Sequence, residues 1–331
     1  MTKILMYSVR DDEEAAIKAW ATKHDVQVDT NALEFHPETA NLAKGYDGLV
    51  IQQRSAIGDD PNVYQQLADY GLKQLTSRTA GVDTIDIPAA KAAGLTVTNV
   101  PAYSPNSVAE MAVTQTMRLI RNLELFDQRI ANQDFRWAGL QAREIRSLTV
   151  GVIGAGRIGG TVAKLFHGLG AKVIAYDVVR RPELESVLTY VASKEELLKQ
   201  ADVVTLHVDL NDTSKALIDA EALSLMKPDA FIINASRGPV IVTKALVAAL
   251  KAGKLAGAAL DTVEGEETLF NQNHQGEPLP DALVSQLLQM PNVILTPHVG
   301  FYTNLAVQNM VDISLDDVLT IINGGQTEHA F

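Results

Sequence analysis

The sequence predicts an α/β protein of two doubly wound parallel-sheet domains with a cleft between them. Three observations carry that prediction. The chain has 331 residues, more than one small core comfortably serves. Short β-branched runs alternate with helical patterns, and this alternation starts afresh near Leu148, as crossover-connected parallel strands require. The second alternation opens with a strand, a glycine-rich loop and a helix start in immediate succession.

In the first half, residues 4–9, 48–52, 72–78 and 95–100 read as strands, with helical patterns at 13–23, 62–70 and 88–93 between them. A loop punctuated by Pro101 and Pro105 follows. After it comes the longest helical pattern of the chain, 107–133, expected to bridge two domains or to supply a dimer surface. In the second half the strands fall at 148–153, 172–176, 203–208, 231–234, 256–260 and 293–295. The helical patterns there are 158–169, 194–200, 214–226 and 242–252. A last amphipathic helix, 304–323, is expected to pack back on the N-terminal half, which makes the first domain discontinuous.

Composition removes several classes of function. Apolar residues make up 47 % and charged residues 21 % of the chain, a globular balance without a polar tract that would stay disordered. No apolar run approaches the roughly 18 to 20 residues of a membrane span. The N-terminus reads as a strand rather than a secretory leader, so a cytoplasmic location is expected. Cysteine is absent, which excludes disulfides, thiol nucleophiles and thiolate metal sites; no metal site is expected. With a net charge of -12 and no clustered cations, neither nucleic acid nor an anionic membrane is an expected partner.

The glycine loop is Gly154-Ala155-Gly156-Arg157-Ile158-Gly159, set where a buried strand ends and a helix begins. Gly154 suits the tight turn, Gly156 the approach of backbone to a pyrophosphate, and Gly159 the packing of helix on strand. The helix N-terminus then offers free amides and a positive dipole end to phosphates. Asp177 closes the next strand, about 20 residues on, where a carboxylate accepts hydrogen bonds from ribose hydroxyls. This is a Rossmann-like arrangement. It predicts NAD in preference to NADP, although Arg180 and Arg181 nearby leave some tolerance for a 2′-phosphate open.

Ligands of an open α/β sheet gather at the carboxyl ends of its strands, so the residues that follow each strand are the candidates for chemistry. One strand is followed by Ala235-Ser236-Arg237-Gly238, the next by Asp261 and then Glu264-Gly265-Glu266, and the last by Thr296-Pro297-His298. An arginine can grip a 2-oxo carboxylate through two parallel hydrogen bonds and so orient its carbonyl; Arg237 suits that role. A histidine can protonate the oxygen as hydride reaches the carbonyl carbon, and His298 is the candidate. A neighbouring carboxylate would favour and hold the protonated ring; Glu264 and Glu266 fit equally. The other histidines join no such group, although His207 ends a strand near the cofactor loop. Tyr103, in the proline-marked loop, either reaches into the interdomain cleft or packs.

These segments resemble the D-isomer-specific 2-hydroxyacid dehydrogenases, and within that family the D-lactate and D-2-hydroxyisocaproate branch of lactic acid bacteria. The likeness spans nearly the whole chain. Its most specific pieces are Asn99-Val100-Pro101-Ala102-Tyr103-Ser104-Pro105-Asn106, the glycine loop, Ser236-Arg237-Gly238-Pro239, the stretch from Asp261 to Glu266, and Thr296-Pro297-His298. The resemblance implies reduction of 2-oxo acids by NADH, with Arg237, Glu266 and His298 as the catalytic set, so that it selects Glu266 over Glu264. It implies cofactor contacts at Arg157, Ile158, Asp177, Val208, Asp209, Ser214, Ala235, Ser236, Arg237 and Asp261, beside the loop glycines. Substrate contacts are implied at Ala80, Gly81, Tyr103 and Phe301, with Ile51, Arg237 and His298. It further implies a homodimer, a flavodoxin-like substrate domain of residues 1–101 plus 300–331, and a nucleotide domain of residues 102–299.

Two departures from the family pattern bear on substrate size. Ile51 stands before Gln52-Gln53 where D-lactate dehydrogenases usually have tyrosine, and Val299-Gly300 follows the histidine where Thr-Ala or Ile-Ala is usual. Both are expected to widen the pocket, which keeps branched and aromatic 2-oxo acids open beside pyruvate. A non-enzymatic NAD(H) sensor of the same fold is the rival from another class, but it would need no proton donor. Formate and phosphoglycerate dehydrogenases share the scaffold; the former place glutamine beside the histidine, and the latter often carry a regulatory extension.

Overall fold

The computed structural model describes residues 1–53, 55–58 and 60–331. They form two compact units, Met1–Ser104 with Tyr302–Phe331, and Pro105–Phe301. The first contains β1 (Lys3–Met6), α1 (Glu14–His24), β2 (Gln27–Thr30), β3 (Gly48–Ile51), α2 (Asn62–Asp69), β4 (Gln74–Ser77), α3 (Ile87–Ala92) and β5 (Thr96–Thr98). Its strands are all parallel, in the order β2-β1-β3-β4-β5, the flavodoxin-like order.

The two-residue period of a strand divides the apolar side chains of this unit between two faces. Leu5, Tyr7, Leu49 and Ile51 enter a layer with Phe35, Tyr64 and Leu67. Ile4, Met6 and Val50 enter the opposite layer with Ile17 and Trp20 of α1. Burial on both faces is why these strands read as continuous apolar runs rather than alternating ones. The chain's last helix, α11 (Asn304–Ile322), returns to this second layer with Val311, Leu315 and Val318, a helical spacing of one face. Beyond it, the terminal residues pair with the sheet edge: Phe331 N donates to Val97 O at 3.0 Å, and Ala330 bridges Thr98 in antiparallel sense. Asp317, buried on α11, anchors that tail by accepting from Thr327 Oγ1 at 2.6 Å and by meeting His329 Nδ1 at 2.9 Å.

The second unit runs α4 (Pro105–Ile120), α5 (Leu123–Ala131), β6 (Thr149–Ile153), α6 (Arg157–Gly168), β7 (Lys172–Tyr176), β8 (Thr189–Tyr190), α7 (Lys194–Gln200), β9 (Val203–Leu206), α8 (Ala220–Leu225), β10 (Phe231–Asn234), α9 (Thr243–Lys251), β11 (Gly257–Leu260), α10 (Ala282–Leu288) and β12 (Val293–Leu295). Its parallel sheet has the order β12-β11-β10-β9-β6-β7-β8. Taken from β8, this is the dinucleotide-binding order with one strand added at the far end. Val150 and Val152 of β6 pack with Val162 and Phe166 of α6 on one face. Ile153, Val204, Leu206 and Ile232 pack with Leu246 and Leu250 of α9 on the other.

Five elements differ from the sequence reading: β8, whose two residues are too few to show a period, and four others, each for a local reason. The pattern at 107–133 is two helices, because Asn122 adopts a left-handed φ of 56° between α4 and α5, a conformation asparagine tolerates. In the stretch 214–226 only Ala220–Leu225 is helical; Ser214 Oγ instead closes a turn by donating to Asp209 O and accepting from Asn211 N, the local bonding that competes with helix. β2 escaped notice because its Gln27, Asp29 and Thr30 interrupt any apolar run at a half-exposed sheet edge. α10 is only seven residues long and is started by Asp281, whose Oδ1 accepts from the amides of Leu283 and Val284.

Candidate active site

At the carboxyl edge of the larger sheet the glycine loop joins β6 to α6. β6 is followed by Gly154, whose φ of 87° suits glycine and whose missing Cβ leaves room for the His207 carbonyl. A Cβ on Gly159 would strike the Gly154 carbonyl, so α6 approaches β6 closely only because that residue is glycine. Gly156, in contrast, faces open space. It is the N-cap of α6, and no side chain caps that helix, so the first-turn amides keep their capacity for an anion. Asp177, at the end of β7, accepts from Ala155 N at 2.7 Å and Val179 N at 2.8 Å, and Arg181 Nη1 lies 3.3 Å from its Oδ2. An uncapped helix start, an open glycine and a fixed acid on the neighbouring strand fit a dinucleotide.

His207 completes this corner. Its amide donates to Ile153 O at 2.8 Å, which ties the end of β9 to the glycine loop. Nε2 meets Thr205 Oγ1 at 2.8 Å, while Nδ1 is buried without a hydrogen-bond partner among the described residues. Burial pushes the imidazole down to about 3, so the ring is neutral at physiological pH. Val208 is half-buried beside Gly154 and Asp209 is exposed. Ser214 is buried and locks the turn between them. Arg157 is exposed and Ile158 half-buried on the first turn of α6.

The reactive groups stand on the next three strands in spatial order. After β10, Ser236 is buried against Asn234 Oδ1, and the half-buried Arg237 donates from Nη1 to Ser236 O at 2.9 Å, with Ala235 before them. After β11 the chain turns through Gly265, left-handed at φ 74°, and sends the two candidate glutamates in different directions. Glu264 Oε2 accepts from Thr243 N at 2.9 Å at the start of α9. Glu266 Oε1 meets His298 Nδ1 at 2.5 Å, and its Oε2 accepts from Val263 N at 2.9 Å. Glu266 is therefore the carboxylate that orients the histidine.

His298 itself sits at φ 55°, a conformation a side-chain-bearing residue holds only when its surroundings impose it. Asp261 imposes it. Its carbonyl accepts from His298 N at 2.8 Å, its Oδ1 accepts from Thr296 Oγ1 at 2.5 Å and Val299 N at 3.0 Å, and its Oδ2 accepts from Gly300 N at 2.8 Å. Both carboxylate oxygens are thus engaged by the loop that carries the histidine. A Cβ on Gly300 would lie 2.9 Å from Asp261 Oδ2, so glycine at this position admits the carboxylate, and the pocket-widening expected of it is not what its geometry explains. Sequence reasoning named Thr296 without a role and missed Gln115, whose Nε2 donates to Thr296 Oγ1 at 2.8 Å. A threonine at a strand end next to an aspartate at its neighbour's end was the available signal.

The remaining candidates belong to the first unit, apart from Phe301, half-buried at the end of the second. After β4, every carbonyl of the Thr79–Ala80–Gly81 loop is taken: Thr79 O by Val100 N, Ala80 O by Asn99 Nδ2 at 2.6 Å, and Gly81 O by Thr79 Oγ1 at 2.7 Å. Among the described residues no hydrogen bond takes the amides of Ala80 and Gly81. Tyr103 is held through its carbonyl by Asn309 Nδ2 at 2.6 Å. Ile51 is wholly buried in the core with Tyr7 and Leu49, so any effect on a pocket passes through packing. No cluster of three or more potential metal ligands occurs among the described residues.

A dinucleotide corner beside an arginine and a histidine–carboxylate pair, arrayed along one sheet edge, defines a hydride-transferring oxidoreductase. A model of the D-isomer specific 2-hydroxyacid dehydrogenase, NAD binding domain, matches residues 113–300, and the chain belongs to that family. It is 47 % identical over 325 residues to the D-2-hydroxyacid dehydrogenase (NAD(+)) of Clostridioides difficile, with 98 % of each chain covered. Among solved structures, a D-lactate dehydrogenase from Sporolactobacillus shares 66 % identity at a TM-score of 0.85, covering 100 % of this chain and 99 % of the other. The NAD-complexed D-isomer specific 2-hydroxyacid dehydrogenase of Lactobacillus delbrueckii ssp. bulgaricus shares 42 % identity at a TM-score of 0.88, with both chains covered in full. The cofactor is NAD, and the chain is an NAD-dependent oxidoreductase acting on D-2-hydroxy acids.

The neutral His207 sets a pH dependence of stability. Unfolded, the ring titrates near 6.5, and folded near 3. Above pH 6.5 both states are neutral. As the pH falls below that value the unfolded state takes up the proton first, and folding loses up to about 1.4 kcal/mol per pH unit until the folded ring titrates in turn. Replacing His207 with Gln is therefore expected to narrow the difference in urea midpoint between pH 7.5 and pH 4.5. An unchanged difference would show that the ring titrates alike in both states.

Proposed function

We propose that the chain is a D-lactate dehydrogenase that reduces pyruvate to D-lactate, with Arg237 gripping the substrate carboxylate and His298 as the proton donor. The observation that carries this reading is the His298–Glu266 pair at 2.5 Å. Because Nδ1 is committed to Glu266, the proton passes from Nε2 to the substrate oxygen. NADH, when bound, supplies the hydride. The forked guanidinium of Arg237 fixes the plane of the 2-oxo acid, and in the first unit the amides of Ala80 and Gly81 are the groups proposed as a seat for a substrate carboxylate. Asp261 acts in this scheme by holding the His298 loop, and Tyr103 in the first unit and Phe301 in the second are each proposed as substrate contacts.

Replacing His298 with Gln is expected to lower kcat by about 100- to 10,000-fold while NADH binding, followed by its fluorescence, stays intact. Arg237→Lys should weaken both KM and kcat for pyruvate, since a point charge cannot replace a planar fork. Near-normal turnover in the first variant, or an unaltered kcat/KM in the second, would remove that residue from its role. The substrate reading is checked by kcat/KM for pyruvate, 2-oxo-4-methylpentanoate and phenylpyruvate with NADH. Pyruvate is expected to lead; a clear preference for either larger acid would reassign the chain to the branched or aromatic class.

The protein also works, in this proposal, as a cytoplasmic homodimer. α5 buries none of its own residues, yet it and the segment after it present Leu123, Ile130, Phe135 at 74 % and Trp137 at 81 % exposure. So much large apolar surface in one stretch of chain is the mark of an interaction site, and a second copy is the proposed occupant. Trp137→Glu is expected to shift sedimentation from dimer to monomer; an unshifted dimer would place the interface elsewhere.

A further inference from the structure

Arg78 is the largest fully buried side chain among the described residues, and its partner Glu13 is equally inaccessible. The guanidinium donates from Nε to Glu13 Oε1 at 2.8 Å and from Nη2 to Glu13 Oε2 at 3.0 Å. The same group donates from Nη1 to Tyr7 O at 2.7 Å and from Nη2 to Ser8 O at 2.6 Å. Tyr7 and Ser8 follow β1, whereas Arg78 follows β4, and β3 lies between those strands. The side chain therefore reaches past the end of one strand to bind the end of the next. Its own amide donates to Ile51 O, at the end of β3, at 2.9 Å. Glu13 is held in turn by the amide of Arg10 at 2.9 Å, and Ser8 adopts a left-handed φ of 53° in this knot.

Burial works against the guanidinium charge, and the Glu13 carboxylate is the chief influence opposing it. A buried pair of this kind adds little net stability over apolar residues of equal volume, because desolvation cancels most of the attraction. What it does provide is direction. Four directed bonds to groups on two other segments fix where the chain leaves β4, and the next three residues are Thr79, Ala80 and Gly81.

We propose that the Arg78–Glu13 pair is a positioning device for substrate: by tying the ends of β1, β3 and β4 together it sets the orientation of the Ala80 and Gly81 amides that receive the substrate carboxylate. Arg78 touches neither substrate nor cofactor and acts through the loop it precedes. This rests on the reading of that loop as a carboxylate seat.

The test uses the full-length protein with NADH, pyruvate as substrate and oxamate as an unreactive analogue. In the double variant Glu13→Leu/Arg78→Met both charges leave together, so the thermal midpoint should fall only by the modest amount that the Tyr7 and Ser8 carbonyls lose with their donor. KM for pyruvate and the oxamate inhibition constant should each rise about tenfold or more, while NADH affinity is unchanged. Arg78→Lys, which keeps the charge but loses the fork, should show a smaller rise of the same kind, and it serves as the readout should the double variant not fold. A folded variant with parental KM and oxamate inhibition would overturn the proposal, as would a loss of NADH affinity equal to that of oxamate. Ala80→Pro, which removes one of the two amides, separates the two layers. If it leaves oxamate inhibition intact, the loop is not the carboxylate seat and the underlying reading fails. If it weakens oxamate while the Arg78 variants do not, only the positioning role fails.

Discussion

Every reactive group of the larger unit stands where it does because seven strands run in one direction. Parallel pairing sends all the strand ends to the same edge, and the sheet order then lays the functions out side by side. From β7 to β12 that edge presents Asp177, the glycine loop, His207, Arg237, the Asp261–Glu266 segment and His298 in turn. Cofactor and chemistry are neighbours because the strands are neighbours. An antiparallel strand anywhere in that row would have carried its loop to the opposite edge.

Within this frame, three carboxylates hold groups in place rather than attack anything. Asp261 spends both oxygens and its carbonyl on the turn that forces His298 into a left-handed backbone. Glu266 divides its oxygens between the imidazole and the Val263 amide, so it cannot swing without breaking a backbone bond. Glu13 does the corresponding work in the smaller unit for Arg78. Removing one partner of a buried pair costs about 3 to 5 kcal/mol, whereas removing both is close to neutral. That asymmetry distinguishes geometry from stability as the purpose of such a pair.

What could be seen in the sequence, and what could not, follows from the range of the interactions involved. The glycine loop was legible because its constraints are local: strand, turn and helix lie within about ten residues, and each glycine answers one steric demand. The inner strands of both sheets were legible because burial on two faces writes continuous apolar runs, whereas the edge strands β2 and β8 were not. Glu264 and Glu266 could not be told apart from their residues alone, since only the left-handed turn at Gly265 decides which faces His298 and which faces Thr243. The break at Asn122 was hidden because Leu119, Ile120 and Leu123 continue the apolar pattern across it. The Arg78–Glu13 pair was invisible, for its partners are 65 residues apart and nothing local marks either as buried.

The pairing of the terminal residues with β5 bears on how the protein behaves when crowded. A parallel sheet of five strands has two open edges, each a template for recruiting a strand from another molecule. One edge, β2, carries Gln27, Asp29 and Thr30, a polar strand poorly suited to self-association. The other carries Thr96-Val97-Thr98, a β-prone triplet whose amide and carbonyl groups would otherwise be bare. Ala330 and Phe331 lie against it. Losing that cover would leave the catalytic edge untouched and yet uncover a sticky strand, so a variant whose Ala330–Phe331 segment no longer pairs would be lost to aggregation before it lost specific activity.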